Sequence, residues 1–156
     1  IKNQLSYEES INSNSFKKFN ARIENTKTML NFFLTKISKR DIIAYGASTK
    51  GNIVLNHCEI DNKQIKYICD ANPYKFNKYT PGSNLKIISK KNMRIKKPKY
   101  LLVLIWSFRK EVIKQELDYL KKGGKLIFHL PIFHIVDSNN YKEFLKSDFD
   151  SLAYDL

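Results

Sequence analysis

The sequence predicts an α/β domain: a Rossmann-like, three-layer fold with a mainly parallel sheet. Three observations carry this. Short apolar runs alternate with helical patterns along the chain, the rhythm of βαβ units. Tyr100–Ile105 is an unbroken apolar run, as in a strand buried on both faces. The run Ile42–Tyr45 enters the small-residue loop Gly46-Ala47-Ser48-Thr49-Lys50-Gly51, and an apolar-periodic segment follows at once. That is the strand, tight turn and helix entry of a mononucleotide-binding unit.

The elements follow in order. Residues 1–15 read as a linker or N-terminal arm, and Ser15 as the cap of a helix over Phe16–Ile37, whose apolar residues recur at helical spacing. Ile42–Tyr45 is the first strand, Lys50–His57 a short helix and Ile65–Cys69 the second strand. Asp70–Ser83, rich in Asn, Pro, Tyr, Lys and Gly, is an ordered loop. Leu85–Ile88 is a brief strand, and Tyr100–Ile105 the next. Glu111–Lys121 is an amphipathic helix stopped by Gly123-Gly124. Lys125–His129 and Phe133–Val136 are the last strands, interrupted by Pro131. The domain proper is placed at 16–137, with a tail over 138–156 that carries a short helix at Tyr141–Lys146. The first strand should lie centrally in the sheet.

Composition narrows the function classes. A chain of 156 residues is one domain with room for a full core. No apolar run approaches the roughly 18 residues needed to span a bilayer, so no membrane association is expected. Ile1–Ser15 is polar and is not a signal peptide, and a chain that opens on Ile1 is expected to be a fragment. Cys58 and Cys69 have no CxxC spacing and sit among apolar residues, as reduced, buried thiols of a cytoplasmic protein do. The net charge of +13 raises the question of nucleic acid. Lysine supplies nearly all of it; the arginines, whose forks read bases, are only Arg22, Arg40, Arg94 and Arg109. Abundant Asn and Ile with little Ala point to a composition bias of the source, and a nucleic-acid function is not expected. Lys86–Lys99 is the best patch for an anionic partner.

The glycine loop carries the chemistry. Such a loop aims backbone N–H groups and the positive end of a helix at an anion, usually a phosphate. The spacing Gly46-x4-Gly51, followed by Asn52, is not a Walker A loop, since Lys50 precedes Gly51 and no Ser or Thr follows it. It is also an incomplete dinucleotide fingerprint, because Ser48 takes the place of the middle glycine. That argues against a nicotinamide-binding dehydrogenase. Asp70 ends the second strand at about the 20-residue spacing of a ribose-binding acid. Ligands of such sheets bind at the carboxyl ends of the strands. Three loops meet there: Gly46–Lys50, Asp70–Gly82 and Trp106–Arg109.

These loops also carry a resemblance. Tyr45-Gly46-Ala47-Ser48-Thr49-Lys50-Gly51-Asn52, Asp70-Ala71-Asn72-Pro73-Tyr74-Lys75 with Tyr79-Thr80-Pro81-Gly82, Trp106-Ser107-Phe108-Arg109, and Gly123 through Pro131 occur in order. Together they resemble the C-terminal domain of the sugar C-methyltransferases, over about Phe16 to Val136. The resemblance implies a Rossmann-like domain that helps hold a nucleotide-linked deoxysugar. Other domains of the same polypeptide would then bind S-adenosylmethionine and zinc and perform the methyl transfer. No cofactor is expected on this chain, which has neither zinc-spaced cysteines nor an acidic, glycine-rich methyl-donor loop. The alternative is a stand-alone Rossmann-like nucleotide-binding or scaffold protein without catalysis. Asn77 stands where the family commonly has Gly; Asn is the best non-Gly residue for a left-handed backbone.

The candidate nucleotide- and phosphate-binding residues are Gly46, Ser48, Thr49, Lys50, Asn52, Asp70, Lys75, Tyr79 and Arg109. Lys50 is a phosphate cation or a solvated first-turn lysine. Ser48 and Thr49 donate to phosphate or cap the helix. Asp70 accepts from a ribose hydroxyl or caps its own loop by an Asx turn. Lys75 neutralises a diphosphate or is one more surface lysine. Tyr79 stacks on a base or sugar, positioned by the Thr80-Pro81-Gly82 turn, or packs under its loop. Arg109 sits at a helix start, where a cation is unfavourable, and this hints at an anionic partner. His57, His129 and His134 lack metal spacing and read as structural. No residue forms a convincing acid–base pair or nucleophile, so no catalytic residue and no metal ligand is assigned.

Overall fold

The computed structural model of the chain describes residues 13–147. Helix α1 spans Ser13–Thr35, β1 Ile42–Tyr45, α2 Thr49–His57 and β2 Tyr67–Asp70. Then come β3 (Lys86–Ser89), α3 (Lys90–Lys96), β4 (Tyr100–Val103), α4 (Arg109–Gln115), α5 (Leu117–Lys121), β5 (Lys125–Phe128), β6 (His134–Val136) and α6 (Tyr141–Lys146). Single 3₁₀ turns sit at Pro73–Lys75 and Trp106–Phe108. The sheet order is β3-β2-β1-β4-β5-β6. All pairs are parallel except β5–β6. The α/β, Rossmann-like expectation holds, with β1 inside the sheet.

Two apolar layers fix the helices. Alternate residues of the buried strands point to opposite faces. Ala44, Ile68, Leu102 and Ile127 lie under α1 and α2, with Leu30, Leu34 and Leu55. Phe33 of α1 meets Tyr100 edge to face at 5.4 Å. Tyr45, Cys69, Val103 and Phe128 lie under the other helices, with Met93, Val112, Ile113 and Leu120. Burying a single Leu or Ile side chain stabilises the fold by roughly 1.5–3 kcal/mol, so these two layers dominate.

Several boundaries differ from the sequence reading. Helix α1 begins at Ser13, so Ser13–Ser15 belong to the helix and Ser15 is not its cap. The rest of the expected arm, and the tail beyond Ser147, lie outside the described residues. Helix α3 was not foreseen: it has seven residues and buries only Met93, too thin an apolar pattern to read. The single helix expected over Glu111–Lys121 is two, broken at Glu116. The Glu116 carboxylate is buried, accepts from the Tyr45 hydroxyl at 2.9 Å and pairs with Arg94. Strand β2 starts two residues late, because Ile65 closes a turn by donating its N–H to the Asp61 carbonyl at 3.0 Å. Asn77 does take the left-handed conformation, φ +63°. Along the outer edge of β3, the Asn77 and Thr80 amides donate to the Ile87 and Leu85 carbonyls, and the Ile87 amide donates to the Lys78 carbonyl. No helix among the described residues is long and apolar enough to cross a membrane.

Candidate functional site: the carboxyl edge of the sheet

Strand β1 delivers its chain into a turn that only glycine accommodates. Gly46 has φ +91°, and a Cβ there would lie 2.6 Å from Cγ2 of Ile105. The Gly46 amide donates to the Cys69 carbonyl at 2.8 Å, which ties the turn to β2. Ser48 caps α2, its Oγ accepting from the Gly51 amide at 3.0 Å. Gly51 lets the helix settle on the sheet: a Cβ there would lie 2.9 Å from Cβ of Leu104. The result is a helix start seated tightly at the end of β1. The Thr49 and Lys50 amides, in its first turn, have no carbonyl within the helix to bond.

Asp70 locks the second loop to the first. Its Oδ2 accepts from the Ala47 amide at 2.9 Å and its Oδ1 from the Asn72 amide at 2.8 Å, an Asx turn. Lys75 Nζ donates to Asp70 Oδ2 at 3.2 Å and to the Ala47 carbonyl at 2.9 Å. Of the two roles weighed for Asp70, the loop-capping one is the one seen here, and its side chain is only 12% exposed. A third tie comes from Asn56, which the sequence reading did not single out. Its Nδ2 donates to the Asn52 and Pro81 carbonyls at 2.8 and 3.2 Å. Gly82, φ +75°, leaves the room this needs, since a Cβ there would lie 2.0 Å from Asn56 Oδ1.

These ties enclose a cleft of about 480 Å³ beside the start of α2. Ser48, Thr49, Asn52 and Lys75 line it, so four of the predicted residues come together, with Ala47, Thr80 and Pro81 around them. The Asn52 Oδ1 is buried and has no hydrogen-bond partner. The other predicted residues fall elsewhere. Lys50 is exposed on α2 and is not part of the lining, so the cation at the cleft is Lys75. Thr80 is 3% exposed and lines the cleft, whereas Tyr79 is 57% exposed, stands outside the lining and bridges to Lys86. Arg109 turns to the other face of the sheet. Its guanidinium donates to the Ser147 carbonyl and Oγ at 3.3 Å, lies over the Phe144 ring and is 2% exposed. Burial lowers its pKa. The sign that misled was real, a cation at a helix start, but its neighbours come from α6.

A second cavity, of about 580 Å³, lies on the opposite flank of α2. It is apolar, with Ile53, Val54, Trp106, Leu130 and Pro131 in its walls and Phe19 and Ile23 of α1 above. Trp106, expected at the same mouth as Ser48, belongs here.

The remaining candidates are structural. Burial pushes the Cys58 thiol up to about 11 and Cys69 up to about 12, and both are free. Burial takes His129 down to about 4. His134 stacks between Phe128 and Phe144, with ring centroids 5.1 and 4.7 Å away. Among the described residues no three His, Cys, Asp or Glu side chains come together to hold a metal ion.

The arrangement has clear likenesses. The sequence model of a family described as the C-methyltransferase C-terminal domain matches residues 1–131. Over 101 residues the chain is 30% identical to the C-methyltransferase NovU of Streptomyces niveus, a match that covers 65% of this chain and 24% of that protein. The match thus spans about a quarter of the relative's length. The cleft-forming segments Gly46–Asn52, Asp70–Lys75 and Thr80–Gly82 all fall inside the matched region, and the chain belongs to the C-methyltransferase C-terminal domain family.

Proposed function

We propose that this domain holds a nucleotide-linked deoxysugar through its diphosphate, while another part of a longer polypeptide transfers the methyl group from S-adenosylmethionine. The observation that carries this is the cleft beside α2. First-turn amides of a nine-residue helix, the Ser48 and Thr49 hydroxyls and the Lys75 ammonium converge on one concave space of ligand size. All are donors suited to phosphate oxygens. The Asn52 side-chain Oδ1 is the exception, and it would accept from a ribose or sugar hydroxyl.

Two features argue against S-adenosylmethionine in the same cleft. The Asp70 carboxylate, which a ribose would need, is already bonded to Ala47, Asn72 and Lys75. The ammonium of Lys75, although its charge is partly offset by Asp70, is the cation in the lining and favours a diphosphate over a sulfonium. The residues of this cleft do not fit the methyl donor. Zinc is likewise assigned to other parts of such a polypeptide.

Calorimetry at low salt, with a nucleoside diphosphate and S-adenosylmethionine in parallel, tests the reading. Binding of the diphosphate is expected, with amide shifts concentrated at Ser48, Thr49, Asn52 and Thr80. Binding of S-adenosylmethionine alone would overturn it.

A further inference from the structure

The lysines of Lys86–Lys99 and their neighbours play no part in the cleft beside α2. Several of them gather at the amino ends of β2 and β3, on the α3 side of the sheet. Tyr67 and Lys86, the first residues of these two strands, stand side by side in register. The Lys96 ammonium lies 4.2 Å from the Tyr67 ring centroid and that of Lys66 lies 5.5 Å from it. Lys86, Asn77 and Asn92 complete a hollow of about 230 Å³ with Tyr67, Lys96 and the apolar Ile88 and Ile95.

We propose that this hollow is an oxyanion site that takes the phosphoryl or sulfuryl group of a small soluble ligand. Lys86, Lys96, Asn77, Asn92 and the Tyr67 phenol line it, Lys66 stands over the Tyr67 ring beside it, and no carboxylate is in the lining. Among the described residues no carboxylate lies within 4.0 Å of Lys66, Lys86 or Lys96. Lys27, Lys75, Lys90, Lys99 and Lys125, by contrast, each have a carboxylate partner. Lys66 and Lys96, held over one ring, repel each other, and a bound anion adds an attraction to each of them that offsets this. Burial raises the Tyr67 pKa, but Lys96 and Lys66 outweigh it and hold the phenol below the ordinary tyrosine value. Asn77 is fixed in its left-handed conformation by the bond from its amide to Ile87. The hollow is therefore walled by fixed backbone on one side and by α3 on the other. Its size suits a single tetrahedral oxyanion, and the exposed Ile95 at its rim leaves space for the body of the molecule that carries it. The site shares no lining residue with the cleft beside α2, and its failure would leave the nucleotide-sugar reading untouched.

Titration of the whole chain with sodium phosphate, followed by amide shifts at constant ionic strength, tests this. The Tyr67, Asn77, Asn92 and Lys96 signals are expected to move along one saturable curve that sodium chloride does not reproduce. Lys96→Gln, an exposed change that leaves the fold intact, is expected to weaken that curve by about tenfold, the size of one lost charge-assisted hydrogen bond. Lys121→Gln is expected to leave it unchanged. Equal effects of the two substitutions, or equal shifts with chloride, would overturn the proposal in favour of a diffuse basic surface. Flotation with phosphatidic acid vesicles separates the sources of the group: Lys96-dependent vesicle binding without saturation by free phosphate would overturn the soluble ligand.

Discussion

Helix α2 has two flanks, and they are built from opposite chemistry. On the β2 side it presents Thr49 and Asn52 to a cleft closed by Lys75 and Thr80. On the β4 side it presents Ile53 and Val54 to a cavity closed by Trp106 and Pro131. One helical register does both, because residues one position apart point about a quarter-turn or more away from each other. The difference teaches that proximity to a glycine loop does not by itself make a site. The polar flank is held by bonds to fixed backbone, through Asp70, Lys75 and Asn56. The apolar flank is held by packing, with α1 tied to the end of α2 by the bond from Asn31 to the Cys58 carbonyl at 2.9 Å.

Five substitutions would break or sharpen that contrast. Gly46→Val should have the largest effect. It places a β-branched side chain at φ +91° and against Ile105, so a loss of about 2–5 kcal/mol in denaturant unfolding is expected from left-handed strain plus overpacking. Asp70→Asn should come next. It weakens bonds from two amides and an ammonium to a mostly buried carboxylate, and about 1.5–3 kcal/mol is expected. A neutral outcome in the same assay would mean that the polar flank does not depend on its charge. Lys75→Met should lower affinity for a nucleoside diphosphate about tenfold, with Lys50→Ala lowering it less. The reverse order in calorimetry would place the ligand away from the cleft. Ile53→Gln should do least. The residue is 64% exposed, so stability should change by no more than about 0.5 kcal/mol and diphosphate affinity not at all. A fall in affinity would assign the ligand to the apolar flank.

The architecture was legible because the buried strands are short apolar runs in the right order, and Ile42–Tyr45 and Tyr141–Lys146 match the sequence expectation residue for residue. What could not be read is which way side chains turn once they reach the edge. Ser48, Thr49, Asn52 and Lys75 meet at one cleft, as local chain geometry allows. Arg109 and Trp106 sit in one tetrapeptide, yet Arg109 is held by Ser147 and Phe144 while Trp106 lines the apolar cavity with Pro131. These neighbours are remote in sequence. Thr80 and Tyr79 show the same limit on a smaller scale. Alternation along an extended segment sends one inward and its neighbour outward, and composition does not say which. The break at Glu116 was hidden because an acid in an amphipathic helix ordinarily faces water. Here Tyr45 and Arg94 draw it under the sheet.

The segment that runs along β3 has a consequence for how copies of this chain meet one another. A sheet's last strand presents free amides and carbonyls, a template on which a stranger's strand can nucleate. Along the outward side of β3 and the residue before it, the Leu85 carbonyl and both groups of Ile87 are already occupied by residues 77–80 of the same chain. Asn77 turns that segment into place, and Pro81 ends it with a residue that has no amide to offer. The short pairing thus works as a self-supplied seal. It turns away runaway strand addition at that end of the sheet, a safeguard of particular use to a chain so rich in isoleucine and asparagine.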